Sequence, residues 1–292
     1  MTTELIDAGY SQSIDRLSNL SVDTYYNPYK TFAWPESLPD RQWWMSQDLM
    51  TVYGTPQMQQ LDESQLMALS KWESINFYSL NIHGIRELLL EVTKRIHSPG
   101  YEMPSKFFHH FIGEENEHMW FFAEFCLRYA SKIYPDRSVK LSSETYEPEV
   151  ESLLVFIRIL VFEEIVDYFN TRMSMDASLH PIIQQINAIH HQDESRHIAF
   201  GRQIVKQLFT QVSAKYPERL QMIEDYVKRY IITSIQSLYN PAVYKDAGIA
   251  EPHSFRRALL DQPVRNLYHK QFVKRNVDFF LKTGIISQGI FQ

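Results

Sequence analysis

Residues 190–197 place two imidazoles and one carboxylate on the same side of a predicted helix. The segment from Pro181 to about Val212 has apolar residues at helical spacing, and residues three and four apart on a helix are neighbours. His190, Glu194 and His197 therefore project side by side. Because burying an unpaired carboxylate is costly, we expect this face either to be wet or to hold a cation.

A second motif of the same kind lies upstream. Glu115 and His118 form a Glu-x-x-His pair between apolar residues, in a segment that predicts another helix. A single Glu-x-x-His occurs by chance in many helices, but two of them on separate apolar helices indicate a carboxylate-bridged dimetal centre. Such a centre in a four-helix bundle takes one Glu-x-x-His from each of two helices and a single glutamate from each of the other two.

Four long helical patterns supply the elements for this ligand set. The starts of these helices are marked by residues that favour them, such as Asp62 as an N-cap and Pro181 in a first turn. The predicted spans are Asp62 to about His97, Ser105 to Ile133, Val150 to Met175 and Pro181 to Val212. A polar crossover from Pro135 to Pro148 separates the two helix pairs, and this short, long, short order of connections is the ferritin-like arrangement. We therefore predict an all-α fold, a ferritin-like four-helix bundle with a dimetal centre.

The rest of the chain flanks the bundle. Residues 1–60 are rich in Tyr, Trp, Pro and Ser and predict an extended arm with one or two short helices. We expect this arm to pack on the bundle, because disordered segments are poor in aromatic residues. Two more patterns, about Pro217 to Tyr239 and Ser254 to Lys282, predict accessory helices within 217–285. The chain 1–292 is then one domain, with residues 62–212 as its metal-binding part.

Matching heights across each helix hairpin predicts the two single glutamates. Residues equally far from the loop of a hairpin lie at the same level, since each residue of a helix rises about 1.5 Å. By this measure Glu163 faces Glu194, and Glu87 faces Glu115.

Uncertainty in the helix ends keeps neighbouring acids open. Glu91 remains an alternative to Glu87, and Glu164 to Glu163, because predicted boundaries err by about 2 to 4 residues. Glu73 is excluded, since it would lie about 20 Å from the other ligands along the helix axis.

The predicted ligands combine carboxylate oxygens with imidazole nitrogens and lack thiolates. This set suits iron or manganese, and iron is favoured if oxygen is activated. A generic dimetal carboxylate site needs only two histidines, so His190 either binds metal or donates a hydrogen bond to a ligand. The candidates are Glu87, Glu115, His118, Glu163, His190, Glu194 and His197.

Two further acids, each directly before a ligand glutamate, are expected to orient histidines. Glu114 can accept a hydrogen bond from His197, and Asp193 can accept one from His118 on the opposite helix. Such a bond to the outer ring nitrogen fixes the tautomer of a metal-ligating histidine.

Composition and charge argue against several other classes. The formal net charge of −6 disfavours nucleic acid or an anionic membrane as a partner. The single cysteine, Cys126, can neither form an intrachain disulfide nor hold an iron–sulfur cluster, and Gly-x-Gly-x-x-Gly is absent. The N-terminus lacks a signal-peptide pattern, and charged residues interrupt the most apolar stretch, Leu153 to Val166. We expect a soluble, cytoplasmic protein without a membrane partner.

The ligand motifs resemble those of one known family of di-iron oxygenases. They read Glu115-x-x-His118, Glu163 and His190-x-x-x-Glu194-x-x-His197, and this pattern is similar to the p-aminobenzoate N-oxygenase (AurF-type) family of ferritin-like proteins. A third histidine on the last ligand helix distinguishes that family from ribonucleotide reductase small subunits and fatty-acid desaturases. The resemblance covers about residues 62–212, and the interval from Glu87 to Glu115 looks shorter than in the family.

The resemblance implies a cofactor and a reaction. The seven ligand candidates would bind two iron ions, and the protein would use O2 to oxygenate the nitrogen of a small-molecule amine through a peroxo-bridged diferric species. The amine would pass through hydroxylamine and nitroso to nitro, with electrons from an external reductase. We also expect a homodimer and a role in secondary metabolism. The alternatives are C–H hydroxylation, desaturation or oxidative cleavage at the same metals, and a non-catalytic metal-binding bundle.

Overall fold

The computed structural model describes residues 8–136 and 144–291. Within these ranges the chain is built of helices, and its β-type pairing is an isolated bridge between Trp43 and Leu179. None of the described helices combines the length and the apolarity needed to cross a bilayer. The predicted all-α class is confirmed.

Residues 8–60 of the N-terminal arm form three α-helices and one turn of 3-10 helix. They are α1 (Ala8–Asp23), α2 (Pro28–Thr31), the 3-10 turn Gln47–Leu49 and α3 (Pro56–Gln59). The arm is more helical than predicted, because α1 alone has 16 residues. Ile14 and Trp44 are buried, and the ring centroid of Trp44 lies 5.5 Å from that of Phe125.

Four long helices follow the arm. They are α4 (Glu63–Arg95), α5 (Ser105–Ala130), α6 (Pro148–Met175) and α7 (Pro181–Lys215), and their ends agree closely with the predicted spans. Asp62 caps α4 in a reciprocal capping box with Gln65, and Pro181 occupies the first turn of α7. Part of the predicted crossover from Pro135 to Pro148, residues 137–143, lies outside the described ranges.

The four long helices form the predicted arrangement of two hairpins. Short loops make α4 antiparallel to α5, and α6 antiparallel to α7. His118 contacts Asp193 while Glu114 contacts His197, so α5 and α7 also run in opposite directions. It follows that α4 and α7 are parallel. This relation sets which residues of the four helices share a level.

Five shorter α-helices cover the bundle after the 3-10 turn Pro217–Arg219. They are α8 (Leu220–Leu238), α9 (Pro241–Asp246), α10 (Pro252–Leu260), α11 (Pro263–Phe272) and α12 (Lys274–Thr283). The prediction of one helix from Ser254 to Lys282 is wrong, because this segment is divided into three. Pro263 lacks the N–H that a continuing helix needs, and Val273 leaves helical geometry at φ −108° and ψ 9°.

Candidate metal centre

Six of the seven candidate ligands meet inside the bundle. Ligand atoms of four residues lie within 4.8 Å of one another, and these residues are Glu115, His118, Glu194 and His197. His190 adjoins them, with its Nε2 2.7 Å from a carboxylate oxygen of Glu194. Glu163 is 1% exposed; burial, then the charges of Glu194 and Glu115, raise its pKa well above the ordinary value. We call these six residues the Glu/His cluster.

The structure does not bring Glu87 to the Glu/His cluster, so its selection is corrected. The side chain of Glu87 is 58% exposed and lies 3.2 Å from Arg86. Height matching determines the level of a residue along a helix but not the face on which it lies. Glu87 is nine residues from the buried Tyr78, which is two and a half turns, so the two side chains leave α4 in opposite directions.

The alternative acids also have other partners. Glu91 forms ion pairs with Lys94 and Arg95 at 2.8 and 2.7 Å. Glu164 is buried, but its Oε1 accepts a hydrogen bond from Arg202 at 2.7 Å.

Unpartnered polar atoms show that the Glu/His cluster fits bound metal. Two close contacts join its members, His190 Nε2 with Glu194 and His197 Nδ1 with Glu115, each at 2.7 Å. Apart from such contacts within the cluster, its buried atoms without a hydrogen-bond partner are both carboxylate oxygens of Glu115, Glu163 and Glu194, Nδ1 of His118 and His197, and Nε2 of His190. Leaving so many buried polar atoms unpaired would be strongly destabilising. Cations supply the missing partners, and carboxylate oxygens with imidazole nitrogens are suitable ligands for iron or manganese.

The electrostatics of the cluster show how these groups share charge. Burial opposes the charged form of His118, but the carboxylates of Glu115 and Asp193 outweigh burial and raise its pKa to about 10. Burial likewise opposes ionisation of Glu194, yet His190 and His197 hold the pKa of Glu194 well below its ordinary value. Without metal, His118 and His197 therefore hold protons, and cations must displace these protons to bind.

Two outer acids orient the histidines of the Glu-x-x-His pairs. His118 Nε2 lies 3.0 Å from Asp193 Oδ2, and His197 Nε2 lies 2.7 Å from Glu114 Oε2. Both pairings that the sequence analysis expects are therefore present. Because each Nε2 donates outward, each Nδ1 can present a lone pair to the centre once a cation displaces its proton. Arg196 contacts both acids and neutralises part of their charge.

His190 reaches the cluster through its other ring nitrogen. Its Nδ1 lies 2.6 Å from the side-chain amide of Asn170, and the Oδ1 of that amide is buried without a partner. If Nε2 bound a cation, Nδ1 would carry the ring proton and would donate a hydrogen bond to Oδ1 of Asn170 after rotation of the amide. Sequence analysis missed Asn170, although it lies two helical turns after Glu163 on the same face of α6.

The N-terminal arm reaches the outer acids. Tyr26 donates a hydrogen bond to Asp193 at 3.1 Å. Arg196 donates to Ser21 at 3.1 Å and to Thr24 at 3.0 Å. No local pattern could have revealed these contacts, because they join residues more than 160 positions apart.

Phenylalanine rings surround the histidines. Ring centroids lie 4.5 Å apart for Phe111 and His197, and 4.9 Å apart for Phe122 and His190. An apolar shell of this kind excludes water and lowers the local dielectric around a metal. The charged groups are thereby confined to the centre and to the outer acids.

Comparison with known proteins identifies the family. The family model described as P-aminobenzoate N-oxygenase AurF matches residues 7–284. An uncharacterized protein of Mycobacterium bovis and one of Mycobacterium tuberculosis are each 24% identical to this chain over 247 residues, which is 81% of this chain and 70% of each relative. The family match and the buried Glu/His cluster together indicate an oxygenase with a dimetal centre. The chain belongs to the p-aminobenzoate N-oxygenase AurF family of ferritin-like proteins.

Proposed function

We propose that this protein is a di-iron, O2-dependent oxygenase that adds oxygen to the amine nitrogen of a small metabolite. The observation that carries the proposal is the buried Glu/His cluster of three carboxylates and three histidines, in a chain of the AurF family. Iron ions held by this cluster would supply the activation of O2 and the redox chemistry. Glu115, His118, Glu163, His190, Glu194 and His197 are the proposed ligands.

The side chains of the protein prepare the centre for this reaction. The three glutamates bring negative charge into a buried space, where it holds cations strongly. Asp193 and Glu114 keep Nδ1 of His118 and His197 free of protons when metal binds. His190 adds a third imidazole, which we propose favours attack on nitrogen over attack on carbon.

The partners, assembly, location and biological role of the protein also belong to this proposal. The amine substrate, an external electron donor, a homodimer, a cytoplasmic location and a role in secondary metabolism remain predictions. So does the division of one domain into an arm at 1–60, a metal-binding bundle at 62–212 and accessory helices at 217–285.

Rapid mixing with O2 tests the function. Protein loaded with ferrous iron under argon is mixed with oxygenated buffer, with and without a panel of aryl and alkyl amines. We expect a visible absorbance band whose decay is accelerated by amines, and a product that carries oxygen from labelled O2 on nitrogen by mass spectrometry. A His190→Ala variant should lose N-oxygenation and keep part of its iron.

The same experiment separates the alternatives. Acceleration only by substrates without nitrogen would favour C–H hydroxylation, desaturation or oxidative cleavage at the same metals. Iron uptake without any O2-dependent change in absorbance would favour a non-catalytic metal-binding bundle. A Glu87→Gln variant is the control and should behave as the wild type, because this side chain is exposed and pairs with Arg86.

A further inference from the structure

α4 is the bundle helix that brings no carboxylate to the Glu/His cluster. A carboxylate-bridged centre in a four-helix bundle takes a glutamate from every helix, and α5, α6 and α7 supply Glu115, Glu163 and Glu194. Glu87 is exposed, and the three other acids of α4 are engaged elsewhere. Glu63 pairs with Arg41, Glu73 accepts a hydrogen bond from Thr51, and Glu91 pairs with Arg95. The residue that α4 places at the level of the cluster must therefore be of another type.

Contacts of Tyr78 define that level. Tyr78 stacks on Phe122 of α5 at a centroid distance of 5.0 Å, and its hydroxyl accepts a hydrogen bond from Asn187 of α7 at 2.9 Å. Phe122 lies one turn after His118, and Asn187 lies three residues before His190. Tyr78 is thus about one turn away from both histidines, on the inward side of α4.

One turn further along α4, the inward residue is Asn81. α4 is antiparallel to α5 and parallel to α7, so advancing three residues from Tyr78 reaches the level of both His118 and His190. Residues three apart on a helix share a face, and Asn81 is 0% exposed.

Asn81 also has an unused ligand atom. Its Nδ2 donates to the backbone carbonyl of Phe77 at 2.8 Å, while its Oδ1 is buried without a hydrogen-bond partner. A buried amide oxygen without a donor is unfavourable in a metal-free protein. Amide carbonyl oxygens are ligands for hard cations, including manganese. The Oδ1 of Asn81 therefore needs a partner of the kind that a cation provides.

We propose that Asn81 occupies the place of the fourth carboxylate, and that the two metal positions consequently differ in affinity. This inference rests on the proposed metal centre. Three carboxylates more than neutralise one divalent cation, but they leave a single negative charge for a second. The amide of Asn81 is neutral, so it adds no negative charge for the second cation. The metal position beside α4 is then the weaker one, and its cation exchanges readily.

Metal titration of the whole protein tests the proposal. Calorimetry with ferrous iron under argon, and separately with Mn(II), should show one tight equivalent and a second that binds at least about tenfold more weakly. Paramagnetic resonance of the Mn(II) samples should show a bound mononuclear signal first and a coupled signal only in excess metal. Two equivalents of equal affinity in the wild type would overturn the proposal, whatever the variants do.

An isosteric substitution tests the role of Asn81 itself. Asn81→Asp adds one negative charge without changing volume, and it should strengthen the second binding step by about tenfold or more. Asn81→Glu, expressed in iron-supplemented medium, is the second variant if the shorter acid fails to reach the metal or the metal-free protein fails to fold. Glu87→Gln is the matched control on the same helix and should leave both steps unchanged.

The outcomes distinguish this inference from the proposed function. If the second step is the same in folded Asn81→Asp and Asn81→Glu as in the wild type, the inference is overturned while the metal centre stands. If the wild type binds no metal tightly, or if Glu194→Gln binds as the wild type does, the metal centre and the inference both fall.

Discussion

Asp193 is the residue on which most contacts of the outer network converge. It accepts hydrogen bonds from His118, Tyr26 and Arg196. Burial would raise the pKa of this carboxyl, but His118 and Arg196 outweigh burial and hold it at about 2. Asp193 is therefore ionised at any working pH, and it fixes the tautomer of His118.

Replacing Asp193 with Asn should weaken metal binding without emptying the site. The amide is a poorer acceptor and can present Nδ2 to His118, so the wrong tautomer of the ligand becomes accessible. We expect metal affinity to fall by about 10- to 100-fold, measured by competition with a chromogenic chelator. Glu117→Gln, in the same helix as His118 but on a partly exposed face, should change affinity much less.

The residues of the site differ in how far a single sequence could predict them. Each Glu-x-x-His pair is defined by helical spacing alone, so Glu115 with His118 and Glu194 with His197 could be recognised without knowledge of packing. A single glutamate depends on the rotation of its helix. α4 is covered on several sides, with Ile75 and Ile85 both buried, so hydrophobic spacing does not mark its inward face and Glu87 was selected wrongly.

Helices α4 and α6 pack closely against each other at Gly84. A Cβ at this position would lie nearer to the ring of Phe162 than ordinary contacts allow. Phe162 directly precedes Glu163, so this glycine lets α4 pack against the part of α6 that carries a ligand. Small residues at a helix crossing have this function because they let the two backbones approach.

Two glycine substitutions separate this packing effect from helix propensity. Gly84→Ala should lower the free energy of unfolding by about 1 kcal/mol or more through overpacking. Gly113→Ala should raise it by about 0.5 to 1 kcal/mol, because a Cβ at this exposed position of α5 meets nothing within 4 Å and alanine favours helix. Denaturant unfolding of both variants measures the difference, and equal stabilisation would contradict the packing argument.

The long helices were predictable where strong boundary residues coincide with a sustained apolar period. Asp62 and Pro181 start α4 and α7 as expected. The arm was predicted to have one or two short helices, but the position and length of α1 were not, because its buried residues, such as Ile14 and Leu17, are separated by many polar ones. The division of residues 254–282 into three helices follows from Pro263 and from packing on the bundle, and only the first of these is visible in a sequence.

A buried polar network joins three parts of the molecule, which are the arm, α4 and the C-terminal helices. Glu73 of α4 accepts a hydrogen bond from the backbone N–H of Thr51 at 3.0 Å. Arg265 donates to the hydroxyl of Tyr239 at 2.8 Å, and that hydroxyl lies 2.7 Å from Nε2 of His269. Two titratable groups of this network, Glu73 and His269, have pKa values that burial shifts in opposite directions.

The pKa values of Glu73 and His269 predict opposing contributions to stability. Burial raises the pKa of Glu73 to about 7, so the folded protein binds more protons there than the unfolded chain, and stability falls as pH rises from about 4.5 to 7. Burial and the charge of Arg265 lower the pKa of His269 to about 4, so stability rises with pH from about 4 to 6.5. In the wild type the two slopes largely cancel between pH 4.5 and 6.5.

Single substitutions should reveal how each group changes the free energy of unfolding with pH. Relative to the wild type, Glu73→Gln should gain stability as pH rises from 4.5 to 7, and His269→Gln should lose stability as pH rises from 4 to 6.5. Each change is limited to about 3 kcal/mol, the equivalent of the two shifts. Urea unfolding across this range measures the differences, in which titration of the Glu/His cluster cancels because it is common to all three proteins. Differences that are flat with pH, or that have the same sign, would show that folding does not shift the pKa values of Glu73 and His269 in opposite directions.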